Sequence, residues 1–235
     1  MATNSSDVVI IGGGIVGTAT AYFLGKAGIT SVIVERDSVG SHASGFAYGG
    51  LSPLSGEGIP GALAEVAQEG MRLHREFASG LQEETGINTE YRVRPSLSLT
   101  FTEQEVRKAQ AVLSWQQQQP GYSVRWVDPA EARKIEARVS AKTLGAVFIE
   151  GTADVEPYRL VLALTRAAEN MGARVRHGNV TGLQRQGERV TGVLLETGRK
   201  GILLGPAMGR LTAELITQGK APLSIAAFHP GRFAK

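Results

Sequence analysis

Gly12, Gly14 and Gly17 stand in G-x-G-x-x-G spacing within "DVVIIGGGIVGTATAYFLGKAGITSVIVERD", and Glu35 closes the second apolar run of that stretch. Glycines at these intervals suit the binding of a dinucleotide pyrophosphate. The first allows a tight turn, the second lets the phosphates approach the backbone, and the third lets a helix lie close to a strand. A helix that starts beside them, at Ile15 and Val16, aims free N–H groups and positive potential at the phosphates. Glu35 can accept hydrogen bonds from both hydroxyls of an adenosine ribose. Its charge repels a 2′-phosphate, which speaks against NADP.

Four glycine and acid positions carry this reading only if strands and helices hold them. Residues 8–11 are uninterrupted apolar, as a buried parallel strand should be. Ala19, Ala21, Tyr22 and Leu24 follow at helical spacing, with Gly28 as a stop. Residues 30–34 are a second β-branched run that delivers Glu35. Strand, glycine turn, helix, strand and terminal acid together form the context in which the fingerprint is specific. The fold class expected is α/β, a Rossmann-like domain with a parallel sheet, joined to a smaller antiparallel-sheet subdomain.

The fingerprint serves FAD and NAD alike, and the next residues separate them. "ERDSVGSHASGFAYGGLSP" resembles the corresponding stretch of flavoprotein amine oxidases of the D-amino-acid oxidase and glycine oxidase type. Glu35 and Arg36 form the acid–base pair of that pattern. Ser41, Ser44, Gly45, Ala47, Gly49, Gly50 and Leu51 match its loop of small residues passing the flavin. The resemblance implies FAD as cofactor and an amine or amino acid as substrate, with a hydride passing from the amine-bearing carbon to the flavin. His42 lies near where some members carry a histidyl flavin link, but out of register with it; it reads as a loop histidine facing solvent or phosphate. His74, His177 and His229 are scattered, and no metal is assigned.

Composition narrows the classes further. The chain has 235 residues, 42% hydrophobic and 20% charged, with thirty glycines and no cysteine. Thiol catalysis and disulfides are excluded, and a net charge of +3 gives no basic stripe for nucleic acid. No segment is apolar for long enough to span a bilayer, and the start of the chain lacks the pattern of a signal peptide, so a cytoplasmic protein is expected.

Between the two flanks of the nucleotide-binding pattern, residues 61–85 read as an amphipathic helix ending at Gly86. "YRVRPSLSLTF" alternates as a half-buried strand broken by Pro95. A further helix is capped by Thr102 with Glu105 in a capping box, and another by Asp128 with Pro129 at its first position. Tyr91, Arg92 and Arg94 are weighed as a carboxylate site, with an exposed sheet face the preferred reading. The pattern then re-enters: helix 157–171, strand 174–177, and a hairpin with arms 180–186 and 189–196. The resemblance pairs the backbone of Val180 with the adenine.

"ETGRKGILLGPAMGRLTAELI" joins the end of that hairpin to a glycine-rich approach to a helix across only Arg199, Lys200 and Gly201. In the family, a buried strand and much of the substrate domain lie between these segments, so 199–201 reads as a seam where a block is missing. Gly201 and Ile202 match the family's flavin-facing segment, and Arg199 is the candidate contact for a substrate carboxylate; no catalytic base is assignable. Residues 1–88 and 151–235 are expected to form the FAD-binding part, with 89–150 a partial substrate domain. An incomplete sheet should expose apolar surface beside the hairpin and favour self-association through a sheet edge. Two functions stay open: an FAD-dependent amine or amino-acid oxidoreductase, and a non-catalytic nucleotide-binding remnant. An NAD-dependent dehydrogenase ranks lowest, since it leaves residues 41–51 unexplained.

Overall fold

A computed structural model describes residues 6–196. Elements follow in the order β1 (Val8–Ile11), α1 (Ile15–Lys26), β2 (Ser31–Glu35), α2 (Ala43–Phe46), β3 (Gly50–Leu51), α3 (Ala64–Thr85), β4 (Arg92–Val93), β5 (Ser96–Thr100) and α4 (Glu103–Gln117). The remainder are β6 (Ser123–Val127), α5 (Pro129–Ile135), β7 (Gly145–Glu150), β8 (Ala153–Asp154), α6 (Pro157–Asn170), β9 (Arg174–His177), β10 (Asn179–Gln186) and β11 (Arg189–Glu196).

β1, β2 and β9 form a parallel sheet in that order, with Ile10 opposite Ile33 and Ile33 opposite Val175. Both crossovers progress in the same direction along the sheet, so right-handed connections place α1 and α6 on one face. Alanines make their close approach feasible: Ala21, Ala163, Ala167 and Ala168 are all fully buried in one cluster with Ile33, Leu81, Leu160 and Leu164. Gly86 ends α3 in the left-handed conformation (φ 74°), as its position after the apolar pattern requires.

Pro95 separates β4 from β5 and sends them into different antiparallel sheets, β3–β8–β4 and β5–β7–β6. β7, not anticipated from the sequence, is the centre of the latter and is buried on both faces. Ala146 and Phe148 pack with Val127 on one side, while Val147 and Ile149 pack with Val124 and Leu54 on the other. A strand covered twice reads as an unbroken apolar run, which periodicity alone does not distinguish from a helical segment. The expected caps are formed: Thr102 and Glu105 exchange the reciprocal bonds of a capping box, and Asp128 accepts from the N–H groups of Ala130 and Glu131.

The chain divides into two compact units at Val180 and Thr181. In the second, the described residues form the β10–β11 arms of a hairpin turned by Gly187 at φ 61°, a conformation that suits glycine in a two-residue connection. Leu183, Val190 and Leu194 on this hairpin are exposed.

The two edges of the parallel sheet differ in chemistry. Among the described residues β9 pairs only with β2 and presents exposed Arg174 and Arg176, charges that discourage pairing with another strand. β1, which pairs only with β2 among the described residues, has Val9 39% and Ile11 57% exposed and no charge at all.

Glycine is indispensable at one point of this framework and dispensable at another. A Cβ at Gly17 would sit 2.0 Å from the Gly12 carbonyl oxygen, whereas one at Gly80, inside α3, would meet nothing within 4 Å. Gly17→Ala is expected to lose at least about 2 kcal/mol of stability through forced separation of helix and strand. Gly80→Ala should gain about 0.5–1 kcal/mol. Urea unfolding midpoints of the two variants, moving in opposite directions, check both.

Candidate functional site

The turn after β1 is built so that its backbone faces outward. Gly12 has φ 102°, a conformation other residues rarely adopt, and its N–H donates to the Val34 carbonyl at 2.9 Å. A Cβ at Gly12 would meet nothing within 4 Å, so the space over this glycine is open. Gly14 is the N-cap of α1 and provides no side chain to satisfy the helix's first donors; no acid lies in the first turn either. One donor is met from across the turn, where the Ile15 N–H donates to Ser44 Oγ at 3.0 Å. The helix therefore begins with no acid of its own at its positive end, an arrangement suited to an anion beyond Gly14.

Glu35 is fixed at the mouth of this turn by backbone donors. Oε2 accepts from Gly13 N–H at 2.7 Å and Oε1 from Asp37 N–H at 2.8 Å. Burial pushes its carboxyl up, but the N–H groups of Asp37, Gly13 and Arg36 outweigh that and hold it below its ordinary 4.5. The acid is ionised at neutral pH, with lone pairs left for further donors.

A cavity of about 240 Å³ opens beside it, lined by Ile11, Gly12, Val34, Glu35, Arg36, His42, Gly178, Asn179 and Val180. Four residues singled out in the sequence, Gly12, Glu35, Arg36 and Val180, thus meet around one space. Gly178 N–H donates to the Glu35 carbonyl at 2.9 Å and brings the β9–β10 junction, with Val180, to the cavity rim. Sites for whole small-molecule ligands run to roughly 300–1,000 Å³, so this volume suits an adenosine end rather than an entire dinucleotide. Open space over Gly12, an ionised acceptor at Glu35 and a helix N-terminus without an acid of its own fit the adenosine and pyrophosphate of FAD.

Gly178 and Asn179 were missed as lining residues, while His42, read as a loop histidine facing solvent or phosphate, lines the cavity. His42 Nε2 lies 2.8 Å from Asp37 Oδ2, and Arg36 Nε donates to the same oxygen at 3.0 Å. Ligand atoms of Glu35, Asp37 and His42 all fall within 4.8 Å of one another. The hydrogen bonds just given account for that grouping, and only the partnership of Asp37 in the local "ERD" sequence hinted at it.

The small residues at 41–51 have reasons internal to the chain. A Cβ at Gly45 would lie 2.1 Å from the Gly40 carbonyl oxygen, and one at Gly49 2.0 Å from that of Val155. Gly49 also has φ 81°, and its carbonyl accepts from Val155 N–H at 3.0 Å. Gly50 and Leu51 pair with Asp154 and Ala153 to tie this loop to β8. Ile15 packs partly against the core, while Val16 faces outward at 78% exposure. Both line an apolar groove of about 700 Å³ with Ala19, Phe23, Leu24 and Val66. Arg94 is bound to Asp154 (3.1 Å) and Arg92 to Glu90 (2.9 Å), which matches an exposed, ion-paired sheet face rather than a carboxylate site. Arg199, Gly201 and Ile202 lie outside the described residues.

The hydrogen bonds to Glu35 make a prediction about acid stability. Its folded-state value lies below the unfolded one, so the stabilisation is complete above about pH 4.5 and is lost as the pH falls through the folded value. Glu35→Gln should lower the thermal midpoint at neutral pH and flatten its decline between about pH 5 and pH 3. Equal slopes for the two proteins across that window would show that the carboxylate bonds contribute nothing.

Comparison with known proteins places this geometry. The chain matches the FAD dependent oxidoreductase (DAO) family over residues 7–201. The glycine oxidase of Bacillus licheniformis is 31% identical over 169 residues, covering 72% of this chain and 44% of the relative. That of Geobacillus kaustophilus is 32% identical over 172 residues, 73% of this chain and 45% of the relative. Among solved structures, glycine oxidase from Geobacillus kaustophilus has a TM-score of 0.72 at 29% identity, covering 81% of this chain and 50% of that one. The chain spans about half the length of such relatives, or less. With a match across most of its residues and the fingerprint, acid and re-entrant strand in place, it belongs to the DAO family of FAD-dependent oxidoreductases.

Proposed function

We propose that this chain binds FAD and carries the cofactor half of an oxidoreductase acting on an amine or amino acid. The observation that carries the reading is Glu35, ionised and held by the Gly13 and Asp37 N–H groups, facing a cavity that Gly12 and Val180 also line. In this reading Glu35 takes the ribose hydroxyls and Gly12, Gly14 and Gly17 shape the pyrophosphate seat. Ile15 and Val16 open the helix above that seat, with Arg36 and the Val180 backbone at the adenine. Ser44, Gly45, Gly49, Gly50 and Leu51 lead away toward the flavin ring, and Gly201 and Ile202, which lie outside the described residues, are proposed as further cofactor contacts by their match to the family's flavin-facing segment. Residues 1–88 and 151–235 form the FAD-binding part and 89–150 the start of a substrate domain.

Bound FAD supplies a two-electron acceptor. The substrate's part is the loss of a hydride from the carbon bearing a neutral amine, whose lone pair forms the C=N bond of an imine that water then hydrolyses. The chain's part is binding, orientation and electrostatics. Arg199 is the proposed contact for a substrate carboxylate.

A second reading, a nucleotide-binding remnant without turnover, is favoured by a specific observation. Arg92 and Arg94, the described arginines weighed for a carboxylate, are both held in ion pairs. The uncharged β1 edge and its exposed Val9 and Ile11 further support self-association through that edge. Sedimentation showing only monomer at the highest soluble concentration would remove that part of the proposal.

Glu35→Ala should weaken FAD binding by about tenfold to a hundredfold, the worth of hydrogen bonds to a charged acceptor. Fluorescence titration of FAD into wild type and variant measures it, and equal affinities would rule out this ribose contact. Anaerobic addition of glycine and other amino acids to the FAD-loaded protein separates the two readings: bleaching of the flavin band identifies the oxidoreductase, an unchanged band with FAD bound the remnant.

A further inference from the structure

Asp37 is not among the residues lining the cavity beside Glu35, yet three groups that line it are tied to Asp37. Its N–H donates to Glu35 Oε1 at 2.8 Å. One oxygen of its carboxylate, Oδ2, accepts from Arg36 Nε at 3.0 Å and lies 2.8 Å from His42 Nε2. Glu35 is the acceptor for the ribose in the proposed function. Arg36 and His42 supply the other ionisable side chains of the cavity wall.

The Asp37 carboxylate decides which atoms of those two side chains are already engaged. His42 first, and Arg36 after it, hold its carboxyl below the ordinary 3.8, so at neutral pH it is ionised and can only accept. His42 Nε2 is therefore the donor of their bond. That places a hydrogen on Nε2 and makes Nδ1 of the uncharged ring an acceptor. Arg36 is engaged through Nε, and its terminal amino groups remain donors. One anion thus sets an acceptor and a donor in the same wall.

Among purine bases, adenine complements that pair. Its N6 amino group donates and the neighbouring N7 accepts. Hypoxanthine and guanine carry a carbonyl oxygen in place of the amino group. Facing His42 Nδ1, that oxygen would set acceptor against acceptor and leave both unpaired. The ring cannot switch tautomer to suit it without breaking its bond to Asp37. The N6 amino group has two hydrogens, so a bond to His42 leaves one for the Val180 backbone.

We propose that Asp37 is a positioning residue that makes the cleft select adenine, fixing His42 Nδ1 as the acceptor for the N6 amino group and Arg36 as the donor to N7. The proposal rests on the cofactor reading above and adds a base-selecting device to the same site.

The test measures ADP and IDP binding to the full chain at pH 8 by titration calorimetry; IDP carries hypoxanthine in place of adenine. The side chains of Arg36, Asp37 and His42 are all exposed, and exposed pairs contribute little to stability, so variants here should stay folded. Asp37→Ala removes the anchor and keeps the backbone N–H that serves Glu35. His42→Phe keeps a ring and removes the acceptor. Each should lose roughly three- to tenfold in ADP affinity with IDP affinity unchanged. The double variant should lose less than the product of the two single losses, since Asp37 acts partly through His42. Discrimination between ADP and 2′-deoxy-ADP, which reads the Glu35 contact, should stay as in wild type throughout. Equal binding of ADP and IDP by wild type, an unchanged ADP-to-IDP ratio in either single variant, losses that simply multiply, or lost discrimination against 2′-deoxy-ADP overturns the proposal and leaves cofactor binding in place. Failure of wild type to bind ADP at all overturns the cofactor reading and this inference with it.

Discussion

The site depends on the parallel pairing of β1 with β2, which sets Ile11 beside Val34 and so brings the glycine turn level with the terminal acid. Everything at the cleft follows from that register. Gly12 bonds to Val34, Gly13 to the Glu35 side chain, and Gly178 to the Glu35 carbonyl, so three chain segments converge on one strand end. Gly17 then lets α1 lie directly on the Gly12 carbonyl, which fixes where the helix begins and therefore where its free donors point. A shift of one residue in the pairing would turn the strand's side chains to the opposite face and dissolve the arrangement.

Much of this was legible before any coordinates. The fingerprint glycines, the acid at the strand end, the Thr102 and Asp128 caps, the Pro95 break and the returning hairpin all carry local signals tied to backbone chemistry. What escaped depended on distant partners. β7 has no alternation because both its faces are covered, and His42 joins the cleft only through its bond to Asp37. Small residues at 45 and 49 were legible as a requirement for close approach, but the chain's own carbonyls are what approach them.

The two edges of the described parallel sheet differ in chemistry. Among the described residues, β9 carries arginines that discourage strand addition, while β1 carries no charge and pairs on one side only. Near β1, the first turns of α1 leave an apolar groove through Val16 and Phe23. Among the described residues, exposed apolar surface gathers at β1 and α1, whereas the cleft around Glu35 is lined by Gly12, Arg36 and Val180. The cleft's geometry rests on residues of the described fold, whereas turnover also requires groups that position the substrate.

The most direct measurement is the visible absorbance spectrum of the purified full chain after incubation with excess FAD and removal of the unbound ligand. A retained flavin band, with the structured shape of a ring taken out of water, is the expected result and means that the cleft at Glu35 holds the cofactor. A colourless protein that stays folded by circular dichroism would contradict that claim, and the glycine turn would then be a structural inheritance without a ligand.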